Sequence, residues 1–380
     1  MAKSKRKTNK SKLKKIITLI ILILITIFIL VCYFNPQIYN KIIELISPQM
    51  VELPDGEHLN VDTLEDVKVH FIDVGQGDCI LITLPDYKNV LIDAGDRNNS
   101  NNEHIIEYVK ENAHKNSYNS QVVIDHFILT HPDADHIGGA DEVFEAFDVK
   151  KVYRPYVLYN GDYEFPSDFN MGVKKQGTAT YKEFLLAIQN EKYGLDNRSC
   201  EWEFFNHESD FSGGAIFDDV EYTYFFDFLT PTTNLEDIVY TDINDYSPLI
   251  RFSYQNVSIL LTGDAEEEAE EDFLQKYSNQ TQYLDVDVLK VSHHGSQTST
   301  TQEFLDLVKP EYAVISCGEG NTYLHPHAVT LNRLFNMECN LYRTDKNGDI
   351  KMNINSLGEF EFSVDKLGTG IFDSPKKWNN

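Results

Sequence analysis

The segment Thr130-His131-Pro132-Asp133-Ala134-Asp135-His136-Ile137-Gly138-Gly139 sets two imidazoles and two carboxylates within six residues, directly behind the apolar run 126–130. A strand end holds side chains rigidly, while the loop that follows can fold back around an ion. Gly138 and Gly139 let the next helix begin close to that loop. Mixed imidazole and carboxylate donors suit Zn²⁺, Mn²⁺ or iron, whereas an all-oxygen set would suit Mg²⁺ or Ca²⁺. A polar loop with chance histidines is the bland alternative, and further ligand candidates downstream weigh against it.

Leu260-Leu261-Thr262-Gly263-Asp264 is a second apolar strand ending in a carboxylate beside a tight turn. Leu289-Lys290-Val291-Ser292-His293-His294-Gly295-Ser296 is a third strand, ending in imidazoles. Adjacent strand residues face opposite ways, so His293 and His294 serve together only if the strand stops before them. Tyr323-Leu324-His325-Pro326-His327 adds two more histidines before a helix. His70, inside the alternating run 67–71, reads as facing core or solvent.

Strand patterns at 67–71, 79–84, 89–93, 126–130 and 151–153 form one batch, with helices predicted over 103–112 and 138–147. A second batch covers 222–229, the hairpin 249–254 and 257–262 around Gln255-Asn256, then 286–291 and 312–317. Its helices are predicted over 265–277, 301–308 and 327–337. Residues 156–219 read as an irregular insertion with one helix near 181–191. Two batches of strands with helices attached imply an α/β protein, an αββα four-layer sandwich filling residues 67–380.

The charge is lopsided. Residues 1–15 carry eight basic side chains and no acid, and setting them aside leaves 25 basic against 60 acidic residues, a balance near −35. Such a surface repels polyanions and counts against a generic nucleic-acid binder. Residues 16–34 are an uncharged apolar run just long enough to span a bilayer. The lysines before it predict a cytoplasmic N-terminus, a single-pass membrane anchor, a linker over 35–66 and the remainder outside the cell membrane. A cleaved signal peptide is the alternative, against which stand the length of the run and the lack of an A-x-A site. Five cysteines without a CxxC pair support neither a disulfide framework nor a cysteine metal site.

The HxDxDH segment, the Gly263-Asp264 turn and His293-His294-Gly295-Ser296 together resemble the metallo-β-lactamase superfamily. The runs HFIDVGQGDCILI (70–82), LIDAG (91–95), LKVSHHGSQTST (289–300) and LYRTDKNGDI (341–350) resemble the hydrolase domain of ComEC-type competence proteins. The resemblance covers about residues 67–355. It implies two divalent ions, Zn²⁺ or Mn²⁺, with His131 and Asp133 on one, Asp135, His136 and His294 on the other, and Asp264 bridging. His293 is next in line as ligand. Superfamily members supply a further histidine between the HxDxDH and TGD motifs; only His207 lies in that interval, and Asp245 and Ser247 are alternatives for its neighbourhood. Asp133 in place of a commoner histidine makes that half oxygen-rich and favours Mn²⁺ as competitor to Zn²⁺.

On this reading a pair of ions activates water for an in-line displacement. Asp135 orients it, and His293, His325 or His327 protonates the leaving oxygen. Lys290 either stabilises developing negative charge or faces solvent. Asp73 and Gln76, in the DVGQGD turn, either support the ligands or simply make a glycine turn. The expected function is a membrane-anchored phosphodiesterase or nuclease. Hydrolysis of another external ester, a cell-wall phosphodiester or a lactone, is the alternative enzyme, and a non-catalytic surface binding protein the alternative outside enzymes.

Overall fold

Ile80 and Ile82 lie on one side of their strand and Leu81 on the other, and this period of two runs through both sheets. The computed structural model describes residues 58–116, 120–193 and 200–367. The first strands are β1 (His58–Asn60), β2 (Val67–Phe71), β3 (Ile80–Thr83), β4 (Asn89–Ile92), β5 (Val123–Ile128) and β6 (Asp148–Arg154). β7 (Val157–Tyr159), β8 (Lys174–Gln176), β9 (Glu201–Phe204), β10 (Asp210–Phe217), β11 (Val220–Phe228) and β12 (Ile250–Tyr254) follow. The last are β13 (Val257–Leu261), β14 (Val288–Lys290), β15 (Tyr312–Ile315), β16 (Asn340–Arg343), β17 (Ile350–Ile354) and β18 (Phe360–Val364).

One eight-stranded sheet has the order β18-β17-β2-β3-β4-β5-β6-β9, and the other β1-β10-β11-β12-β13-β14-β15-β16. Each has a parallel half, β4-β5-β6-β9 in the first and β13-β14-β15-β16 in the second. Val69, Phe71, Ile82, Phe226, Phe252, Ile259 and Val314 fill the space between the sheets. The outward Leu81, Leu91 and Phe127 meet α1 (Asn99–Asn112), α2 (Ala134–Ile137), α3 (Ala140–Ala146) and α4 (Ala179–Tyr193) through a core including Ile105, Val109, Ile137, Phe144 and Leu185. The outward Leu260, Leu289 and Ala313 meet α5 (Glu267–Tyr277), α6 (Gln302–Val308) and α7 (Ala328–Asn336) through Phe273, Phe304 and Leu334. The result is the expected αββα sandwich.

Three expectations change. Residues 58–60, read as linker, form β1 and pair in parallel with β10, His58 opposite Gly214. The stretch 156–219 is more ordered than its composition suggests: β7 and β8 make a ribbon, α4 packs on the first sheet, and β9 and β10 join opposite sheets. The strands are also not two sequential batches, because β17 and β18 return to the first sheet beside β2. Among the described residues no helix is long and apolar enough to cross a membrane. Residues 16–34 lie outside the described residues.

Candidate metal centre

The carboxyl ends of the parallel strands in both sheets converge at one end of the sandwich, the place where α/β sheets hold ligands. The chain leaves β5 into Thr130-His131 and then α2, which carries Asp135 and His136. It leaves β13 into Thr262-Gly263-Asp264, and β14 into His293-His294. Both of these histidines have left-handed backbones, φ 47° and 53°. For non-glycine residues that conformation costs on the order of 1–2 kcal/mol each. It turns two adjacent side chains towards one point, and the turn is fixed by His293 N–H donating to Gly263 O at 3.1 Å.

Ligand atoms of Asp135, His136, Asp264 and His294 lie within 4.8 Å of one another. His136 Nε2 is 3.2 Å from Asp264 Oδ1 and 3.3 Å from His294 Nε2. His294 Nε2 is 3.3 Å from both Asp135 Oδ2 and Asp264 Oδ2. His131 adjoins this group, its ring centroid 4.2 Å from that of His136. Its Nε2 is buried, lacks a hydrogen-bond partner, and stands 3.9 Å from Asp133 Oδ2. An orphaned buried nitrogen costs about 1–3 kcal/mol, which a coordinated cation removes. The residues present therefore fit divalent ions: Asp135, His136 and His294 on one side, His131 and Asp133 on the other, Asp264 between.

The rings are oriented from behind. His136 Nδ1 is 2.7 Å from Asp93 Oδ2, and Asp93 also accepts from Thr130 N–H at 2.8 Å and Thr130 Oγ1 at 2.7 Å. His294 Nδ1 donates to Ser316 O at 2.9 Å, leaving Nε2 directed at the cluster. Such partners fix the tautomer of a ligating imidazole. Gly77 has φ +129°, and a Cβ there would lie 2.1 Å from Asp135 O, so only glycine lets the DVGQGD turn press on the ligand loop.

Charges alternate through the cluster. Burial opposes ionisation of His136, yet Asp264 and Asp93 outweigh it and hold its pKa well above the usual imidazole value. His294 goes the same way against burial, raised to about 9 by Asp264 and Asp135. Asp264, despite full burial, is held far below the usual carboxylate range by His136, His294 and His293. Burial, then His136, pushes His131 down to about 3, and burial with Asp135 lifts Asp133 to about 6. Metal uptake displaces the protons these imidazoles hold.

The family model described as the Metallo-beta-lactamase superfamily matches residues 72–319. The chain belongs to this superfamily. It is 29% identical over 308 residues to ComE operon protein 3 of Bacillus subtilis (strain 168), covering 77% of this chain and 34% of that protein. Recombination protein 2 of Haemophilus influenzae is 28% identical over 289 residues, covering 75% of this chain and 29% of that one. Competence protein ComA of Neisseria gonorrhoeae is 36% identical over 135 residues, 35% of this chain and 18% of its own length. The chain thus spans about a third of the length of the first two relatives. Among solved structures, Zn(2+)-bound PqqB from Methylobacterium extorquens aligns with a TM-score of 0.40 and 9% identity, over 72% of this chain and 97% of that one.

Within this metallo-beta-lactamase fold the other expected residues separate. His293 stays at the cluster edge, Nε2 3.7 Å from Asp264 Oδ2, its Nδ1 bound to Glu266 Oε1 at 2.7 Å. His325 lines the cleft, whereas His327 sits one ring further back and accepts from Gln297 N–H through Nδ1 at 3.0 Å. Lys290 corrects the expectation of a residue facing substrate or solvent: it is fully buried and paired with Asp78 at 2.6 Å. His207 is held at Pro231 O, and Asp245 accepts from Glu266 N–H and Ala269 N–H at the start of α5, so neither supplies the middle ligand. Ser247 instead places Oγ 3.2 Å from His131 Nδ1 and accepts from Asp264 N–H. Gln76 lines the cleft; Asp73 turns to Gly75 N–H. His70 is buried with Nδ1 on Tyr108 OH. Asp93, Asp78 and Glu266, which hold His136, Lys290 and His293, and Asn244, which lines the cleft, are not singled out by the sequence patterns, although Asp93 and Asp78 lie inside the LIDAG and DVGQGD runs.

Proposed function

We propose that this metallo-beta-lactamase-fold protein, in a superfamily of metal-dependent hydrolases, cleaves phosphodiesters. The carrying observation is the convergence of three imidazoles and three carboxylates, from His131 to His294, on one open end of the sandwich. Divalent ions held by His131, Asp133, Asp135, His136, Asp264 and His294 would supply Lewis-acid activation of the ester and of water. The protein's own part is positioning. Asp135, 3.3 Å from His294 Nε2, is placed to accept a proton from the attacking water. Glu266 aims His293, whose Nε2 faces the cluster, as donor to the leaving oxygen. Relatives named for competence and recombination support a phosphodiester as the bond broken. The oxygen-rich donor set around Asp133 keeps Mn²⁺ beside Zn²⁺ as the resident ion.

Full-length protein in detergent should hydrolyse bis(p-nitrophenyl) phosphate, lose that rate to a chelator, and regain it with Zn²⁺ or Mn²⁺. A chelator-insensitive rate, or none with either metal, overturns the reading. The sequence alone carries the outward-facing anchored location, through the basic tail and residues 16–34. Protease added to intact cells should digest the domain; complete protection refutes that placement. The acidic balance, and a cleft lined among the described residues by neither lysine nor arginine, favour a small external ester over a polymer as second reading.

A further inference from the structure

Tyr323 remains 63% exposed at the rim of the cleft. One face of its ring stacks on His325, with centroids 5.7 Å apart and 23° between planes. His325 is braced edge-on by His327 at 4.8 Å and by His293 at 5.3 Å. The loop that carries both rings is set by Asn321, whose side chain donates to Gly318 O and His325 O and accepts from His325 N–H. Tyr323 and His325 therefore make a stacked pair, braced beside the ligand cluster by two edge-on rings and exposed at its outer end.

The cleft itself is small, about 80 Å³. Pockets that enclose a whole small molecule measure roughly 300–1,000 Å³. A substrate can seat its reacting group here and must lay the remainder across the rim. Among the described residues no lysine or arginine lines the cleft, and its rim offers the aromatic faces of Tyr323 and His325.

We propose that Tyr323 is the platform on which an aromatic ring of the substrate stacks, next to the scissile phosphate ester. Tyr323 is then a specificity-determining residue, selecting ring-bearing phosphate esters over those of bare sugars or alkyl groups. A nucleobase and a simple aryl group are two sources of that ring. The inference rests on the phosphoester reading above. Stacking of a base on an aromatic side chain corresponds to a preference of about 5- to 150-fold.

The test is calorimetric titration of full-length, metal-loaded protein with adenosine 5′-monophosphate, phenyl phosphate and ribose 5-phosphate. At least one ring-bearing ligand should bind about tenfold or more tightly than ribose 5-phosphate. Preference for the adenosine ligand alone identifies a nucleobase; preference for both identifies any aryl ring. Tyr323→Leu should bring the ratio to within about twofold, with metal content and ribose 5-phosphate affinity unchanged, while Tyr323→Phe keeps it. Equal binding of all three ligands, or a preference that survives Tyr323→Leu, overturns the role of Tyr323 alone. Binding of none overturns the phosphoester reading and this inference with it.

Discussion

Lys290→Met removes the cation of a pair that has no access to water. Lys290 Nζ lies 2.6 Å from Asp78 Oδ2, and the two side chains are 0% and 2% exposed. Among the described residues Nζ also donates to Val291 O, at 3.1 Å. Methionine fills a similar volume and leaves Asp78 as a buried carboxylate without its lysine partner, with only the His294 ring at 3.5 Å as a charged neighbour among the described residues. Breaking such a pair from one side costs about 3–5 kcal/mol. At roughly 2–4 °C per kcal/mol for a large domain, the melting temperature should fall by about ten degrees. Asp78 Oδ1 is also 3.5 Å from His294 Nδ1, so an unpaired Asp78 competes with Ser316 O for that proton and pulls the ligand ring off its aim. Urea titration of the metal-free protein isolates the stability term, and metal affinity reads the second effect. Asp78→Asn combined with Lys290→Met should recover at least half of the lost stability, because no charge is then stranded. A single-variant loss below about 1 kcal/mol, or a double variant as weak as the sum of the singles, would refute the buried-pair argument.

Asp264→Asn takes away the carboxylate between the two ligand groups and should weaken metal binding more than about a hundredfold, read by competition with a chromogenic chelator. Glu266→Gln leaves His293 Nδ1 without its carboxylate and should lower kcat by about tenfold to a hundredfold with KM nearly unchanged; equal kcat would remove His293 from the proposed donor role. Burial, with Lys88 and Lys151, pushes His126 down to about 3 while the unfolded chain titrates it near 6.5. The unfolded state therefore binds the extra proton, and the stability present above about pH 6.5 is lost as pH falls towards 3. His126→Phe, which keeps the stack on Phe211, should make the fall of the urea midpoint between pH 6 and 4 shallower, the remainder coming from His131 and His70, which burial lowers to about 3 as well; an unchanged slope would exclude His126 as a contributor.

The ligands were legible because each follows an apolar strand: His131 after β5, Asp264 after β13 and His294 after β14. The sandwich was legible from alternation such as Ile80, Leu81, Ile82. What supports the ligands was harder to see, since those contacts join distant segments. Asp93 meets His136 across 43 positions and Asp78 meets Lys290 across more than 200. Alternation misleads at His293 and His294 because β14 stops at Lys290 and the backbone then turns left-handed. Asp245 looked like a ligand in the chain, but the free amides at the start of α5 claim its carboxylate. Edge strands such as β1 gave little signal, being only three residues long.

The ligands come from both sheets, His131 and His136 behind β5 and Asp264 and His294 behind β13 and β14. An ion held among them is a clasp across the two halves of the sandwich. Binding at a thousand times Kd adds about 4 kcal/mol to the stability of the folded sandwich over the unfolded chain. The converse also holds. A substitution deep between the sheets, far from any ligand, that lets them part even slightly will register as a weaker grip on metal.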